Sequence, residues 1–211
     1  MNPIFIIGCP RSGTTWLQRM CGKHPDVYMA RARDVGILES GPGHETHAYQ
    51  RMPAEEASPQ LEGLIGQHPG KVVMEKTPGH ALYINEILAT MENPGFLFIH
   101  RNPYAVAASW MNTFSGHPPT EGAEKYVATM EKVAPHLDKP YLHRVEYEDL
   151  LENAPYQLIR LFQWMGLQPF PADVCIAVDT TDILRKGEAD SWETELNPKM
   201  KARVAAVLEA A

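Results

Sequence analysis

The stretch Ile4-Phe5-Ile6-Ile7-Gly8-Cys9-Pro10-Arg11-Ser12-Gly13-Thr14-Thr15-Trp16-Leu17 constrains this chain more than any other. An apolar run of strand type enters a loop bounded by two glycines, and a helical pattern leaves it. Two glycines with four residues between them, followed by Thr-Thr, frame a phosphate-binding loop. Such a loop aims successive backbone N–H groups at one point, at the positive end of the helix that follows. The nucleotide-triphosphatase pattern places Lys directly after the second glycine. Here that place holds Thr14, and the loop's cation is Arg11. The loop therefore suits a phosphate-like group other than the γ-phosphate of ATP.

At 211 residues the chain is sized for one well-cored domain, residues 1–211. A formal charge of −7 argues against a nucleic-acid or anionic-polysaccharide surface, so an anion site must be a local cationic pocket. Cys9, Cys21 and Cys175 are odd in number and lack paired spacing, which reads as reduced thiols. The apolar run at the N-terminus is too short for a signal-peptide core, and no segment approaches the roughly 20 apolar residues of a membrane span. The expectation is a cytoplasmic protein. His44 and His47 lack Cys or carboxylate neighbours at ligand spacing, so no metal site is expected.

Residues 3–8 read as a buried strand without alternation, as in a parallel sheet covered on both faces. The following helix ends near Gly22. Val27-Tyr28-Met29 is a short extended piece. Gly36 to Pro59 lacks a period and reads as a long loop with one turn of helix, of the kind that forms lids or substrate walls. Lys71–Met74 is a second buried strand, Ala81–Met91 a helix and Phe96–His100 a third strand. A helix then begins with Pro103 in its first turn. After an irregular loop, Thr113–Gly122, come a helix over Glu124–Val133, a strand over Tyr141–Val145, a helix over Ala154–Met165 and a terminal helix from Pro198. Strands alternating with helices predict a three-layer α/β/α fold with a central, mainly parallel sheet. The ligand site should lie beyond the carboxyl ends of the strands. Three cations fall at such ends: Arg11, Lys76 and Arg101.

At these residues the chain resembles the sulfotransferases that use 3′-phosphoadenosine 5′-phosphosulfate (PAPS). Pro10-Arg11-Ser12-Gly13-Thr14-Thr15-Trp16 is similar to that family's 5′-phosphosulfate loop. His100-Arg101-Asn102-Pro103, with Ser109 on the next helix, resembles its 3′-phosphate motif. Tyr147-Glu148-Asp149-Leu150 matches a recurrent segment, and Arg185-Lys186-Gly187, followed by Trp192, resembles the late motif that returns to the 3′-phosphate. The matches run in family order over nearly the whole chain.

The resemblance implies sulfuryl transfer from PAPS to a hydroxyl, or less readily an amine, of a small acceptor, leaving adenosine 3′,5′-bisphosphate (PAP) and requiring no metal. PAPS needs two anion pockets. The loop N–H groups with Arg11, Thr14 and Thr15 suit the phosphosulfate; Arg101, Ser109, Arg185, Lys186 and the Gly187 N–H suit the 3′-phosphate. Glu75-Lys76-Thr77-Pro78 resembles a segment whose lysine contacts the transferring group, which makes Lys76 catalytic with Arg11 assisting. One branch of the family places a His base two residues after that lysine, where this chain has Pro78, with His80 two positions further on. Another uses a carboxylate in a Lys-Glu context, matched here by Arg33-Asp34. Asp34 is the favoured base, His80 the alternative, and Glu39 trails both. Tyr147 reads as either core or an adenine stack. The chain is short for the family, which implies reduced acceptor-binding elements or a second subunit of a homodimer. The rival readings are a nucleoside or small-molecule kinase, which would need magnesium, and a non-catalytic nucleotide-binding module.

Overall fold

The computed structural model describes residues 1–37, 45–168, 170, 171, 173, 175 and 189–211. Strands β1 (Ile4–Gly8), β2 (Val27–Met29), β3 (Val72–Lys76), β4 (Gly95–His100) and β5 (Leu142–Glu146) form one parallel sheet in the order β2-β3-β1-β4-β5. After β1 the chain crosses to one edge and works back to β1's flank, then continues on the other side. The loop after β1 therefore sits where the strand order reverses, the place where an open parallel sheet leaves a crevice.

The strands are apolar on both faces because both faces are covered. Phe5, Ile7, Phe96 and Phe98 pack into one cluster with Ala57, Leu61, Ile84 and Ile87 from the helices over that face. Ile4, Ile6, Leu97 and Ile99 point the other way and pack with Leu17, Met20, Leu158 and Leu161. Alternate residues of each strand thus serve opposite layers. Each fully buried Ile or Phe is worth about 1.5–3 kcal/mol, so β1, with Ile4, Phe5, Ile6 and Ile7 all at 0% exposure, is firmly anchored. Helices α1 (Thr14–Cys21) and α7 (Tyr147–Trp164) cover the second face, and α3 (Ala54–Gln67) and α4 (Ile84–Thr90) cover the first. The short α2 (Ala48–Arg51) precedes α3; α5 (Pro103–Thr113) and α6 (Pro119–Val133) follow β4; α8 (Trp192–Glu195) and α9 (Pro198–Glu209) close the chain, with α9 packed on α6. Among the described residues, no helix is long and apolar enough to cross a membrane.

Four boundaries differ from the sequence reading. The helix expected from Ala81 starts at Ile84, after a 3-10 stretch over Pro78–Tyr83. The loop expected to run to Pro59 ends earlier, because α3 starts at Ala54 and carries Pro59 inside it. Ala57, Leu61 and Leu64 are its buried face, and Ser58 is tied to Tyr49 and Thr90 through hydroxyl contacts of 2.7 and 2.6 Å. Packing of that face outweighs the missing N–H. Helix α6 begins at Pro119 rather than Glu124, since a proline suits the first turn, where an N–H would have no partner anyway. Helix α7 starts at Tyr147, directly after β5, and bends at Asn153, whose Oδ1 accepts the Tyr156 N–H at 3.2 Å and restarts the helix before Pro155.

The end of β3 is fixed by a buried polar cluster. Glu75 and His80 have no exposed surface. The Glu75 carboxylate accepts from Thr46 Oγ1 (2.8 Å), from the Thr77 hydroxyl and from His80 Nδ1 (2.8 Å), while His80 Nε2 accepts the Tyr49 N–H at 3.3 Å. Burial alone would push the Glu75 carboxyl up, but His80 and the three hydrogen bonds outweigh it and hold the carboxyl below its ordinary value. The stability this supplies is fully present above the ordinary value of 4.5 and is lost as the pH falls through the lower native value. Glu75→Gln is expected to lower stability at pH 7 by about 3 kcal/mol, because His80 and two threonines lose their shared partner. It should also flatten the acid limb of a melting-temperature profile, which thermal unfolding between pH 3 and 7 would read.

Candidate active site

Three neighbouring strands deliver a cation each to one edge of the sheet. β3 ends in Lys76, β1 leads into the loop that carries Arg11, and Arg101 follows directly after β4. Because β1 lies between β3 and β4, the three charges converge around the loop. That convergence is the site.

The loop is shaped by glycine where a side chain has no room. A Cβ on Gly13 would lie 2.5 Å from Tyr147 Cδ2, and its φ of 96° is left-handed. A Cβ on Gly8 would lie 2.7 Å from the Ile99 carbonyl oxygen. Gly13 caps α1, so the N–H groups of Thr14 and Thr15 belong to the first helical turn and have no partner within the helix. Arg11 itself has a φ of 79°, a left-handed conformation that costs a non-glycine residue on the order of 1–3 kcal/mol. Its carbonyl, turned by this conformation, accepts from Arg101 Nη1 at 2.9 Å. The Arg11 side chain reaches the other way, Nε donating to Ser109 Oγ on α5 at 3.3 Å.

Arg101 is 8% exposed. Its guanidinium lies 4.3 Å over the Tyr147 ring, and Trp16 meets the same ring edge-on with centroids 5.8 Å apart. Tyr147 is therefore a buried pedestal under the loop: it backs Gly13, supports Arg101 and anchors Trp16. Partial removal from water, and then the adjacent Arg101 charge, lower the Arg11 guanidinium's hold on its proton, while Glu45 acts in the opposite direction. Two like charges held this close make a place where an anion is favoured. Among the described residues, two buried donors in it have no hydrogen-bond partner, Ser12 Oγ and Arg101 Nε. Buried donors are nearly always satisfied, so these two, together with the bare helix N–H groups, fit a site for phosphate-type oxygens.

Lys76 completes the arrangement with no exposed surface at all. Its Nζ reaches Thr15 Oγ1 at 3.4 Å and donates to Glu45 Oε1 at 2.7 Å. Arg11, Gly13, Thr15, Trp16, Lys76, Arg101, Ser109 and Tyr147 are thus joined by direct contacts, with Ser12 and Thr14 buried in the same loop. Asp34 lies in a 3-10 turn, Ala32–Val35, where its Oδ2 accepts from Tyr28 OH (2.9 Å) and from the Arg31 N–H (2.8 Å). That is the geometry of a turn-forming Asp. His80 is enclosed in the Glu75 cluster with both ring nitrogens engaged. Glu39, Arg185, Lys186 and Gly187 lie outside the described residues. Cys9 is 2% exposed and burial pushes its thiol up to about 12, so it is an inert small residue in the turn. Sequence reasoning missed Glu45. It stands in an aperiodic segment, and only the folded chain brings it to a lysine 31 positions later.

Comparison with known proteins bears on the fold and the family. The nodulation protein NoeE of Sinorhizobium fredii (strain NBRC 101917 / NGR234) is 22% identical over 228 residues, covering 86% of this chain and 54% of the relative. The chain thus spans about half the length of that curated relative. Among solved structures, the sulfotransferase domain from the curacin biosynthetic pathway superposes with a TM-score of 0.67 at 17% identity, covering 99% of this chain and 96% of that one. The mouse sulfotransferase SULT7A1 complexed with PAP gives 0.67 at 15% identity, covering 98% and 82%. At such identities these structures speak for the fold alone. A model of the sulfotransferase family matches residues 3–172. The phosphate-type loop, the convergent cations and this match over most of the chain place the protein in the sulfotransferase family.

Proposed function

We propose that this enzyme moves the sulfuryl group of PAPS to a hydroxyl, less readily an amine, of a small-molecule acceptor in the cytoplasm, without a metal. The observation that carries the reading is a pair of buried donors, Ser12 Oγ and Arg101 Nε, that have no partner among the described residues and lie between cations from three adjacent strand ends. PAPS would supply an activated sulfuryl group on a phosphate leaving group. The chain's own residues do the rest. Thr14 and Thr15, with the first-turn N–H groups and Arg11, would bind the 5′ phosphosulfate, and Lys76 would answer charge developing on the transferring and leaving oxygens. Arg101 and Ser109 would hold the 3′-phosphate, joined by the Arg185-Lys186-Gly187 segment. Arg11, through its contact with Ser109, spans both pockets. The PAP complex of the structurally similar mouse protein supports the choice of cofactor.

The acceptor would be a phenol, alcohol, lipid or glycoside. It would meet the chain near Lys76, beside residues 45–47, with a homodimer partner as a further source of contacts. Transfer also needs a group to take the acceptor's proton. Of the groups the sequence suggests, Asp34 bonds to Tyr28 and Arg31 and His80 to Glu75 and Tyr49, so none of their hydrogen bonds reaches Lys76 or the loop; Glu39 lies outside the described residues.

Labelled PAPS offered with a panel of hydroxyl compounds should yield a labelled ester without added magnesium. Binding without transfer to any acceptor would leave a nucleotide-binding module instead. PAP should raise the melting temperature, by the equivalent of about 2.7 kcal/mol at a hundredfold excess over its Kd; an unchanged melting temperature rejects the cofactor. Arg101→Ala removes charge-assisted bonds worth on the order of 3 kcal/mol and should weaken PAP about a hundredfold. Calorimetric titration reads that loss, and undiminished affinity would refute the 3′-phosphate role.

A further inference from the structure

Lys76 Nζ has a neighbour on each side, Thr15 on the loop and Glu45 away from it. Glu45 is itself held. Its second oxygen, Oε2, lies 3.2 Å from His47 Nε2, and His47 Nδ1 lies 2.6 Å from Gln50 Oε1. The three residues Glu45, Thr46 and His47 clasp the end of β3. Thr46 has no exposed surface and donates to Glu75 Oε1 at 2.8 Å, while the His47 N–H donates to Thr77 Oγ1 at 3.1 Å. Thr46 thus points to the core, and the side chains flanking it, Glu45 and His47, meet each other beside the cation. Among the described residues two non-glycine residues have left-handed φ: Arg11 in the loop and His47, at 53°. Such outliers persist where the surroundings over-determine them, and they cluster at working sites.

A buried ammonium needs a counter-charge, and Glu45 supplies it. Counter-charge alone does not account for the rest. Glu45 and His47 keep 19% and 24% of their side chains exposed, in contrast to the fully enclosed Glu75–His80 pair one residue along β3. The Glu45 carboxylate and the His47 imidazole thus stand at ion-pair distance, partly open to solvent and one hydrogen bond from Lys76.

We propose, on the sulfuryl-transfer reading above, that Glu45 takes the proton of the acceptor hydroxyl and that His47 is its positioning residue. As the acceptor oxygen bonds to sulfur, and the sulfur–oxygen bond to the phosphate breaks with its electron pair on the phosphate, the hydroxyl proton passes to the Glu45 carboxylate. His47 steadies the carboxylate and relays the proton to water. Among the described residues, the charged and titratable groups facing the couple are Lys76 from β3 and Arg11 from the loop, with Glu75 and His80 behind Thr46.

The test compares wild type, Glu45→Gln, His47→Gln and Asp34→Asn. Transfer from labelled PAPS is measured to whichever hydroxyl compound the wild type sulfates, or to water as released sulfate. Melting temperatures with and without PAP are read alongside. Glu45→Gln is expected to lose transfer by about 100-fold or more. Its PAP-induced rise in melting temperature should be at least as large as that of the wild type, because no carboxylate competes for Lys76. The rising limb of kcat/KM against pH should flatten in Glu45→Gln and be displaced in His47→Gln, with a smaller loss of rate. Three results overturn the proposal: Glu45→Gln transferring at the wild-type rate, Asp34→Asn showing the loss and flattened limb instead, or Glu45→Gln losing its PAP response together with transfer. If the wild type releases no sulfate to any acceptor, water included, the sulfuryl-transfer reading falls and this proposal with it.

Discussion

Lys76 ends a buried strand with none of its surface exposed, and taking an ammonium out of water costs several kcal/mol unless opposite charge answers it. Much of the surrounding structure follows from that demand. Glu45 must lie against it, so the segment before α2 is clasped to the end of β3. One residue earlier, Glu75 poses the mirror problem on the other face of the sheet, and His80 answers there. Consecutive residues of a strand point to opposite layers. β3 therefore carries an anion into the packed layer, opposite Phe5, and a cation into the site, opposite Ile6. The first is locked in place by three partners. The second keeps one contact with the loop, through Thr15.

The loop depends on an aromatic base as much as on its glycines. Tyr147 comes from the start of α7, a long way along the chain, yet it leaves Gly13 no room for a side chain and sets the Arg101 guanidinium under the Arg11 carbonyl. Its pairing with Trp16 ties the first turn of α1 to the same support. The strained Arg11 backbone is tolerable because Arg101 holds its carbonyl. Rigidity of this kind lets donors face an anion without reorganising when it binds.

Much of this was legible in the sequence, for local reasons. The β1–loop–α1 unit is read from contiguous residues, and each of Arg11, Lys76 and Arg101 follows an apolar run that can only be a buried strand. The turn that Asp34 forms is local too, since Asp is a common turn former and its partners Tyr28 and Arg31 lie within six residues of it. What could not be read was whatever the crossovers decide. Nothing near Glu45 announces that it will neutralise Lys76, and nothing near Tyr147 tells a pedestal from an adenine stack. Helix α3 was hidden by Pro59, whose local penalty is outweighed by the burial of Ala57, Leu61 and Leu64.

The strand order has a consequence for how such a protein diversifies. β1 runs down the middle of the site like a keel. Arg101 and Ser109, proposed to grip the 3′-phosphate, stand to one side of it, after β4 and on α5; Glu45 and His47, proposed to handle the acceptor's proton, stand on the other, against Lys76 at the end of β3. At the loop itself, Arg11 bonds to Ser109 on the one side and Thr15 meets Lys76 on the other. The β3 side can be remodelled, in length or in composition, while the donor side stays as it is. A fold partitioned in this way can be handed a new acceptor without having to relearn its donor.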